Sequence, residues 1–485
     1  MSTQHPDNAK PPFFADQAVI EGEAEIKEAY YALSNLGCRE QMWDYEGKEV
    51  DAFVVKKLLT RYEDFFRNQM LGRDRQLTLR VPNPRVEQAE GKVLLETLES
   101  IPRSHDAARM LYGPEVPCPV VEVILPMTSS ADELNRVYHY YREFVGGKEQ
   151  QRCYDITVRE WVGDYLPDAI RVIPLIENRD QLLSVDRIVE DYLSDKSYDS
   201  HRVFLARSDP ALNYGQLSAV LLTKIALQRL GALEGKLGIE LLPIIGVGSA
   251  PFRGNLNPRR VHEFLEEYPS VQTYTIQSAF KYDYPETEVR AGIETLNAAV
   301  RGPATEIDEK EARRIIDKVS YRFAQCVTEL APMINEIAAL VPSRRARKLH
   351  IGLFGYSREL DGREHVHLPR AIGFCAALYS IGLPPELLGL AALGKGDLAF
   401  VRQAYQNHDR DLSDALRYLC VRNLKHLPPI VRKDIETALD ELPLDVDTEH
   451  AELANGIMDD LRHGNPQTQI IEKIQRAAVC RRFLG

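Results

Sequence analysis

Two short apolar runs in this sequence end abruptly in a carboxylate: Arg171-Val-Ile-Pro-Leu-Ile-Glu177, and Arg202-Val-Phe-Leu-Ala-Arg-Ser-Asp209. Each is followed by loop residues and a helix-like segment, the pattern of a buried parallel strand that delivers an acid to the rim of a sheet. The acids are 32 residues apart, about one strand-helix-strand unit, which puts them on neighbouring strand ends. Two carboxylates converging there, with no cysteine or histidine at ligand spacing beside them, suit a hard divalent cation such as Mg²⁺ or Mn²⁺. For either acid alone the alternative is a cap on the following helix; the pair at this spacing favours the metal.

A second stretch able to do chemistry is Gly246-Val-Gly-Ser-Ala-Pro-Phe-Arg-Gly-Asn-Leu-Asn-Pro258. Gly246 and Gly248 invite a dinucleotide reading, but Pro251 stands at the third glycine position and Phe252-Arg-Gly-Asn replaces the helix start, so the fingerprint is broken. The loop still offers backbone that can approach a ligand closely, and Arg253 as a bidentate partner for phosphate or carboxylate. Arg80 lies near the end of another apolar run, Leu77-Thr-Leu-Arg-Val81, which the prolines at 82 and 84 stop. His5, in a short polar segment at the start of the chain, reads by itself as a solvated histidine on a frayed end.

Composition narrows the partners. A formal charge of −12 argues against a protein that binds nucleic acid by overall attraction to phosphate. Any anionic ligand is then held by a local cluster of arginines. The seven cysteines include no CxxC pair, which signals neither a zinc site nor a disulfide framework and suggests a reducing, cytoplasmic setting. The first residues lack the charged-then-apolar pattern of a signal peptide, and no run approaches the roughly 18 apolar residues of a membrane span. Neither nucleic acid nor a membrane is expected as a partner.

Positioning these residues takes an alternation of strands and helices. After an amphipathic helix at 23–35, strands are predicted near 41–44, 77–81, 120–125, 171–176, 203–206, 239–246, 271–277 and 349–354, with helical crossovers such as 131–144, 182–194 and 216–230 between them. The mostly helical stretch 285–345, including 309–340, is too long for an ordinary crossover and reads as an insertion. Everything from 358 to 485 reads as helical. The expectation is an α/β protein: one elaborated domain over 1–485, a (β/α)₈ TIM-type barrel over about 37–357 with many additional helices. Arg80, Glu177, Asp209 and Arg253 all fall after strands, where such a barrel does its chemistry. An open doubly wound sheet is the alternative.

Beyond this reading, the chain resembles the small, archaeal-type phosphoenolpyruvate carboxylases over essentially its whole length. The resemblance is carried by Ser2-Thr-Gln-His-Pro-Asp-Asn8, Leu77-Thr-Leu-Arg-Val-Pro-Asn-Pro84, Val123-Ile-Leu-Pro-Met-Thr128 and Val172-Ile-Pro-Leu-Ile-Glu177. It continues in Val203-Phe-Leu-Ala-Arg-Ser-Asp-Pro-Ala-Leu-Asn-Tyr-Gly215, Gly248-Ser-Ala-Pro-Phe-Arg-Gly-Asn255, Gln277-Ser-Ala-Phe-Lys-Tyr-Asp283, Gly352-Leu-Phe-Gly-Tyr-Ser-Arg358 and Arg482-Phe-Leu-Gly485. It implies that His5, in Thr-x-His-Pro, is catalytic, that Glu177 and Asp209 hold the metal, and that Arg253 holds phosphate. Arg80 resembles a further active-site arginine and Arg370, in Arg-Ala-Ile, one near a carboxylation pocket. Two departures stand out from the larger bacterial and plant relatives: Val247 replaces a second arginine of the glycine loop, and Leu212 a lysine after Ser-Asp. Arg207, Lys281 and Arg358 are the candidates by position for the missing positive charge.

The resemblance implies that phosphoenolpyruvate and bicarbonate give oxaloacetate and phosphate, through carboxyphosphate and a metal-stabilised enolate, in a homotetramer under allosteric control. A substrate with a phosphate and a carboxylate on a net-acidic protein needs arginines and a cation. A metal stabilises charge developing on the enolate oxygen, a histidine handles the proton when carboxyphosphate breaks down, and water must be kept out lest pyruvate form instead. Two rivals are a metal-dependent aldolase or lyase on a similar barrel, which needs neither bicarbonate nor His5, and a non-catalytic helical assembly protein.

Overall fold

Runs of Val, Ile and Leu buried on both faces build a seven-stranded parallel sheet in the computed structural model, which describes residues 1–46, 50–346, 358–360 and 363–485, with backbone alone for 358–360 and 363–365. The strands are β1 (Glu40–Asp44), β2 (Gln76–Arg80), β3 (Glu122–Leu125), β4 (Arg171–Ile176), β5 (Ser200–Ala206), β6 (Glu240–Gly246) and β7 (Thr273–Tyr274). Their order in the sheet is their order in the chain, as successive crossovers of one hand produce. β5 and β6 form the longest ladder, from Ser200↔Glu240 to Ala206↔Gly246.

Alternation along the strands separates two cores. Met42, Ile124, Ile173, Leu175, Phe204, Ala206 and Ile244 pack with one another on one face. Val172, Ile176, Val203, Leu205 and Ile245 join the crossover helices in the main core. The long apolar helix α1 (Gln216–Leu237) runs behind β5 and β6, buried nearly all round through Leu227, consistent with its lack of an amphipathic stripe.

Both edges of the sheet meet the first residues of the chain. Ser2 makes one parallel bridge to Gln41 in β1 and another to Ile276 just past β7. Ser2 N donates to the Glu40 carbonyl at 2.8 Å and Met42 N to the Ser2 carbonyl at 2.8 Å. On the other side Thr3 N donates to Ile276 O at 3.0 Å and Ile276 N to Met1 O at 2.9 Å. Neither edge is left as a bare row of polar groups there.

The first six predicted strands are present within a few residues. The seventh is shorter than 271–277, because Thr275 turns its hydroxyl to Val247, accepting from its N–H at 2.8 Å and donating to its carbonyl at 3.0 Å, and helix Ser278–Tyr282 starts directly after Gln277. The predicted strand at 349–354 lies outside the described residues. The stretch 285–345 carries helices Glu286–Ala298 and α2 (Glu309–Ala338). The reading of 358–485 as wholly helical is corrected: β8 (Arg358–Leu360) and β9 (Arg363–Leu368) form an antiparallel pair. Glu364-His-Val-His-Leu368 has the period of two that a strand requires. From α3 (Ala371–Ser380) onward the chain is helical, and its apolar faces form a separate core with Phe252 and α2. No single helix among the described residues is long and apolar enough to cross a membrane.

Candidate active site

At the carboxyl ends of the strands a cavity of about 540 Å³ is lined by His5, Arg80, Glu177, Asp209, Arg253 and Arg370. Six side chains spread over 365 residues of sequence thus face one space. Polar groups at strand ends are cheap to place, because each strand stops where the apolar run stops and the next residue emerges at the rim.

Glu177 directly follows β4 and is buried. Its Oε2 accepts a 2.7 Å hydrogen bond from Met127 N. Met127 has φ 50, a left-handed conformation that costs a non-glycine residue roughly 1–3 kcal/mol and concentrates at functional sites; here it aims an N–H at the carboxylate. Asp209 sits in the first turn of helix Ser208–Tyr214, one strand over, and is half-buried. No third His, Cys, Asp or Glu joins them into a ligand cluster among the described residues. Two carboxylates lining one cavity offer the oxygen donors that suit Mg²⁺ or Mn²⁺, which keeps its other positions for water and substrate oxygens.

Arg80, at the end of β2, is held bidentately by Asp44 at the end of β1: Nε and Nη2 donate at 2.7 Å each. Glu46 lies 3.0 Å from Nη1. Burial disfavours the guanidinium charge, but Asp44 and Glu46 outweigh it and hold its pKa above the ordinary value. Arg370 reaches the same Glu46 at 3.9 Å.

Arg253 is fixed on four sides. Nε donates to Ser208 Oγ at 3.1 Å, Nη1 to Asp7 at 3.3 Å and to the Gly485 backbone oxygen at 2.9 Å, and Nη2 to Gln277 at 2.6 Å. Two glycines of the loop differ: Gly246 lines the cavity, whereas Gly248 makes room for a side chain. A Cβ on Gly248 would lie 2.8 Å from Arg253 Nη1 and 3.2 Å from Asp7 Oδ2, so the bare backbone makes room for that ion pair rather than for a ligand. Burial pushes the Asp7 carboxyl up, and Arg253 and the N–H groups of Ala279 and Ser249 oppose it.

The N-terminal segment, far from frayed, is built in. The His5 carbonyl accepts from Asp7 N at 3.1 Å and Ser278 N at 3.2 Å, and the ring Nδ1 lies 2.9 Å from Thr3 Oγ1. Gln4 accepts from Asp44 N at 2.9 Å. Asp7 Oδ1 accepts from Ala279 N at 2.7 Å, and Asp283 from Ala9 N at 2.6 Å. The expectation of a solvated histidine is corrected on these bonds.

Two other predicted substrate-binding residues, Lys281 and Arg207, are placed elsewhere. Lys281 does not line the cavity; buried, it donates to Ser2 Oγ at 3.2 Å, the Thr3 carbonyl at 2.9 Å and Glu28 at 3.0 Å, so its charge serves the N-terminal segment. Arg207, also buried, faces away into a small pocket with Tyr268, Tyr405 and Asp411. The side chain of Arg358 lies outside the described residues. Val247 and Leu212 are fully buried apolar residues and supply no charge. Sequence reasoning does not single out Asn335, Arg344, Arg345 and His367, which also line the cavity. Arg345 is paired with Glu25 at 2.8 Å and Glu28 at 2.5 Å. Arg344 instead donates to the carbonyls of Asn8 at 3.2 Å and Ala9 at 2.7 Å, with no carboxylate in an ion pair with it among the described residues. The run of basic residues at 344–348 is the only sequence signal of these two arginines.

Acids at neighbouring strand ends with guanidinium groups facing the same space are the equipment of an α/β enzyme that handles a small anion. The sequence profile described as phosphoenolpyruvate carboxylase matches residues 1–485, and the chain belongs to that family. A phosphoenolpyruvate carboxylase of Methanothermobacter thermautotrophicus is 51% identical over 487 residues, covering 100% of this chain and 99% of its own. Those of Methanospirillum hungatei and Halobacterium salinarum are each 50% identical, over 487 and 490 residues, at the same coverage.

Proposed function

We propose that the protein, a phosphoenolpyruvate carboxylase by family, joins phosphoenolpyruvate and bicarbonate to give oxaloacetate and phosphate in the cavity that holds His5, Glu177, Asp209 and Arg253. The observation that carries this is their convergence on one space. Glu177 and Asp209 would hold Mg²⁺ or Mn²⁺, which supplies Lewis-acid stabilisation of charge on the substrate's enol oxygen.

The residues divide the remaining work. Arg253, anchored by four bonds, uses four of the five N–H groups of a guanidinium to fix its orientation and offers positive charge to the phosphate. Arg344, whose partners are neutral carbonyls, supplies the cation that Val247 and Leu212 do not; Arg207 and Lys281 are poorly placed for it. Arg80 and Arg370, both beside Glu46, bind the carboxylate-bearing end and the incoming bicarbonate. His5 moves the proton as carboxyphosphate separates into CO₂ and phosphate. Leu175, Phe204 and Leu484 line the same cavity and keep water from the carbanion.

On the same reading, the bridges of Ser2 to both sheet edges support a closed (β/α)₈ barrel in a single domain. The cysteines are all free, in keeping with a cytoplasmic enzyme; the homotetramer with allosteric control rests on the resemblance. The test is a coupled assay for oxaloacetate with and without bicarbonate and Mg²⁺. Product should require both; phosphate release that ignores bicarbonate would instead favour another lyase on this site.

A further inference from the structure

The amino-terminal ends of the strands, opposite His5, surround a second cavity of about 640 Å³, within the roughly 300–1,000 Å³ of small-molecule sites. Arg39, Arg73, Arg171, Arg202 and Arg301 line it against three carboxylates, Glu40, Asp74 and Glu122, in a protein of formal charge −12. The carboxylates already have partners. Buried Arg202 donates from both Nη atoms to Glu40 at 2.8 Å and from Nη1 to Glu122 at 2.9 Å, and Asp74 pairs with Arg73 at 2.8 Å. Arg301 turns to Glu234 at 2.8 Å.

Arg39 and Arg171 are left in no ion pair among the described residues. Arg171 opens β4, reaches the Ser200 carbonyl at 3.4 Å, and lies over the Tyr198 ring, 5.1 Å from its centroid. Stacking fixes the guanidinium plane while leaving its edge for a bidentate partner. Arg39, exposed, precedes β1, and Gln76, Gln272 and Asn297, which line the same cavity, add neutral hydrogen-bonding groups. We propose that this cavity is a second anion site, taking a small molecule with two acidic groups, carboxylate or phosphate, between Arg39 and Arg171. Two cations in no ion pair among the described residues offer places for two negative charges, and the Arg171 fork matches a planar carboxylate or a phosphate face.

The test is calorimetric titration of the full chain, in metal-free buffer, with succinate, inorganic pyrophosphate and, as a singly charged control, acetate. Saturable binding of succinate or pyrophosphate is expected, weakened about tenfold or more in R39Q/R171Q, still present in R253Q, which disables the phosphate-holding arginine of the other cavity, and absent for acetate. Succinate alone would identify a dicarboxylate ligand and pyrophosphate alone a phosphorylated one. If R39Q/R171Q does not fold, Arg39→Glu at the exposed position should give the same weakening. Binding that survives loss of both arginines, that disappears in R253Q, or that neither probe shows would overturn the proposal.

Discussion

His5 owes its place in the cavity to backbone atoms more than to its ring. Its carbonyl is held by two N–H groups, from Asp7 and Ser278, so the imidazole can be changed without releasing the segment. Replacing it by asparagine keeps the approximate shape and removes the proton transfer. His5→Asn should therefore still consume phosphoenolpyruvate slowly while forming oxaloacetate about 10²–10⁴-fold more slowly, measured as phosphate release and oxaloacetate in parallel. Full carboxylation by the variant would reject this role. Single residues were legible to different degrees. Glu177 and Asp209 announced themselves because an apolar run that stops on an acid leaves that acid at the rim of the core. Arg344 did not, since a run of basic residues usually marks a solvated face; only the packing of the helical insertion against Asn8 and Ala9 turns it inward. Lys281 misled in the other direction: a lysine just after a strand end looks available to a ligand, but Glu28 and the Thr3 carbonyl take it up.

At the scale of elements, the N-terminal segment and the glycine loop are held by charges buried beneath them. Burial works against Glu28, yet Arg345 and Lys281 hold its pKa down to about 2. Truncating one partner of a buried pair costs about 3–5 kcal/mol, and Arg345 remains for Glu28, so Lys281→Ala should lose about 3 kcal/mol. Urea unfolding measures that loss. Because the Thr3 carbonyl also loses its donor, kcat should fall more than the KM for phosphoenolpyruvate rises. A second buried acid, Glu386, lies in the turn Pro385–Leu387 and accepts the Tyr379 hydroxyl. Burial pushes its pKa up to about 8; that hydrogen bond and the Phe252 N–H oppose the rise, and Asp411 adds to it. Its folded value exceeds the ordinary 4.5, so the folded state keeps a proton that the unfolded chain gives up in between. Its contribution is complete below about pH 4.5 and disappears as pH rises through about 8. Glu386→Gln stays neutral throughout, so its Tm relative to the parent should climb steadily between about pH 5 and pH 8. A flat difference would show that Glu386 is already ionised at the lower end. The elements themselves were largely legible, because buried parallel strands are continuous apolar runs. The pairing of Ser2 was not: a single residue bridging two strands leaves no periodicity to read.

For the whole molecule, the two ends of the sheet are joined by the first five residues: Met1 lines one cavity and His5 the other. The partners of this segment are distant in sequence, Ile276 for Ser2, Ser278 for His5 and Leu484, whose N–H reaches the Asp7 carbonyl at 2.6 Å. Contacts of such long range form late, after the loop they close has been ordered. On dilution from denaturant, carboxylation should thus recover after far-ultraviolet circular dichroism; simultaneous recovery would contradict that order. The parallel sheet was predictable from the spacing of apolar runs, whereas the way its edges are finished depends on a contact 274 residues long. During synthesis His5 leaves the ribosome long before Ser278 and waits. At about 5–20 residues per second, its seat beside Ser278 does not exist for tens of seconds, and a nascent chain stalled before that point is catalytically silent however many of its strands have already paired.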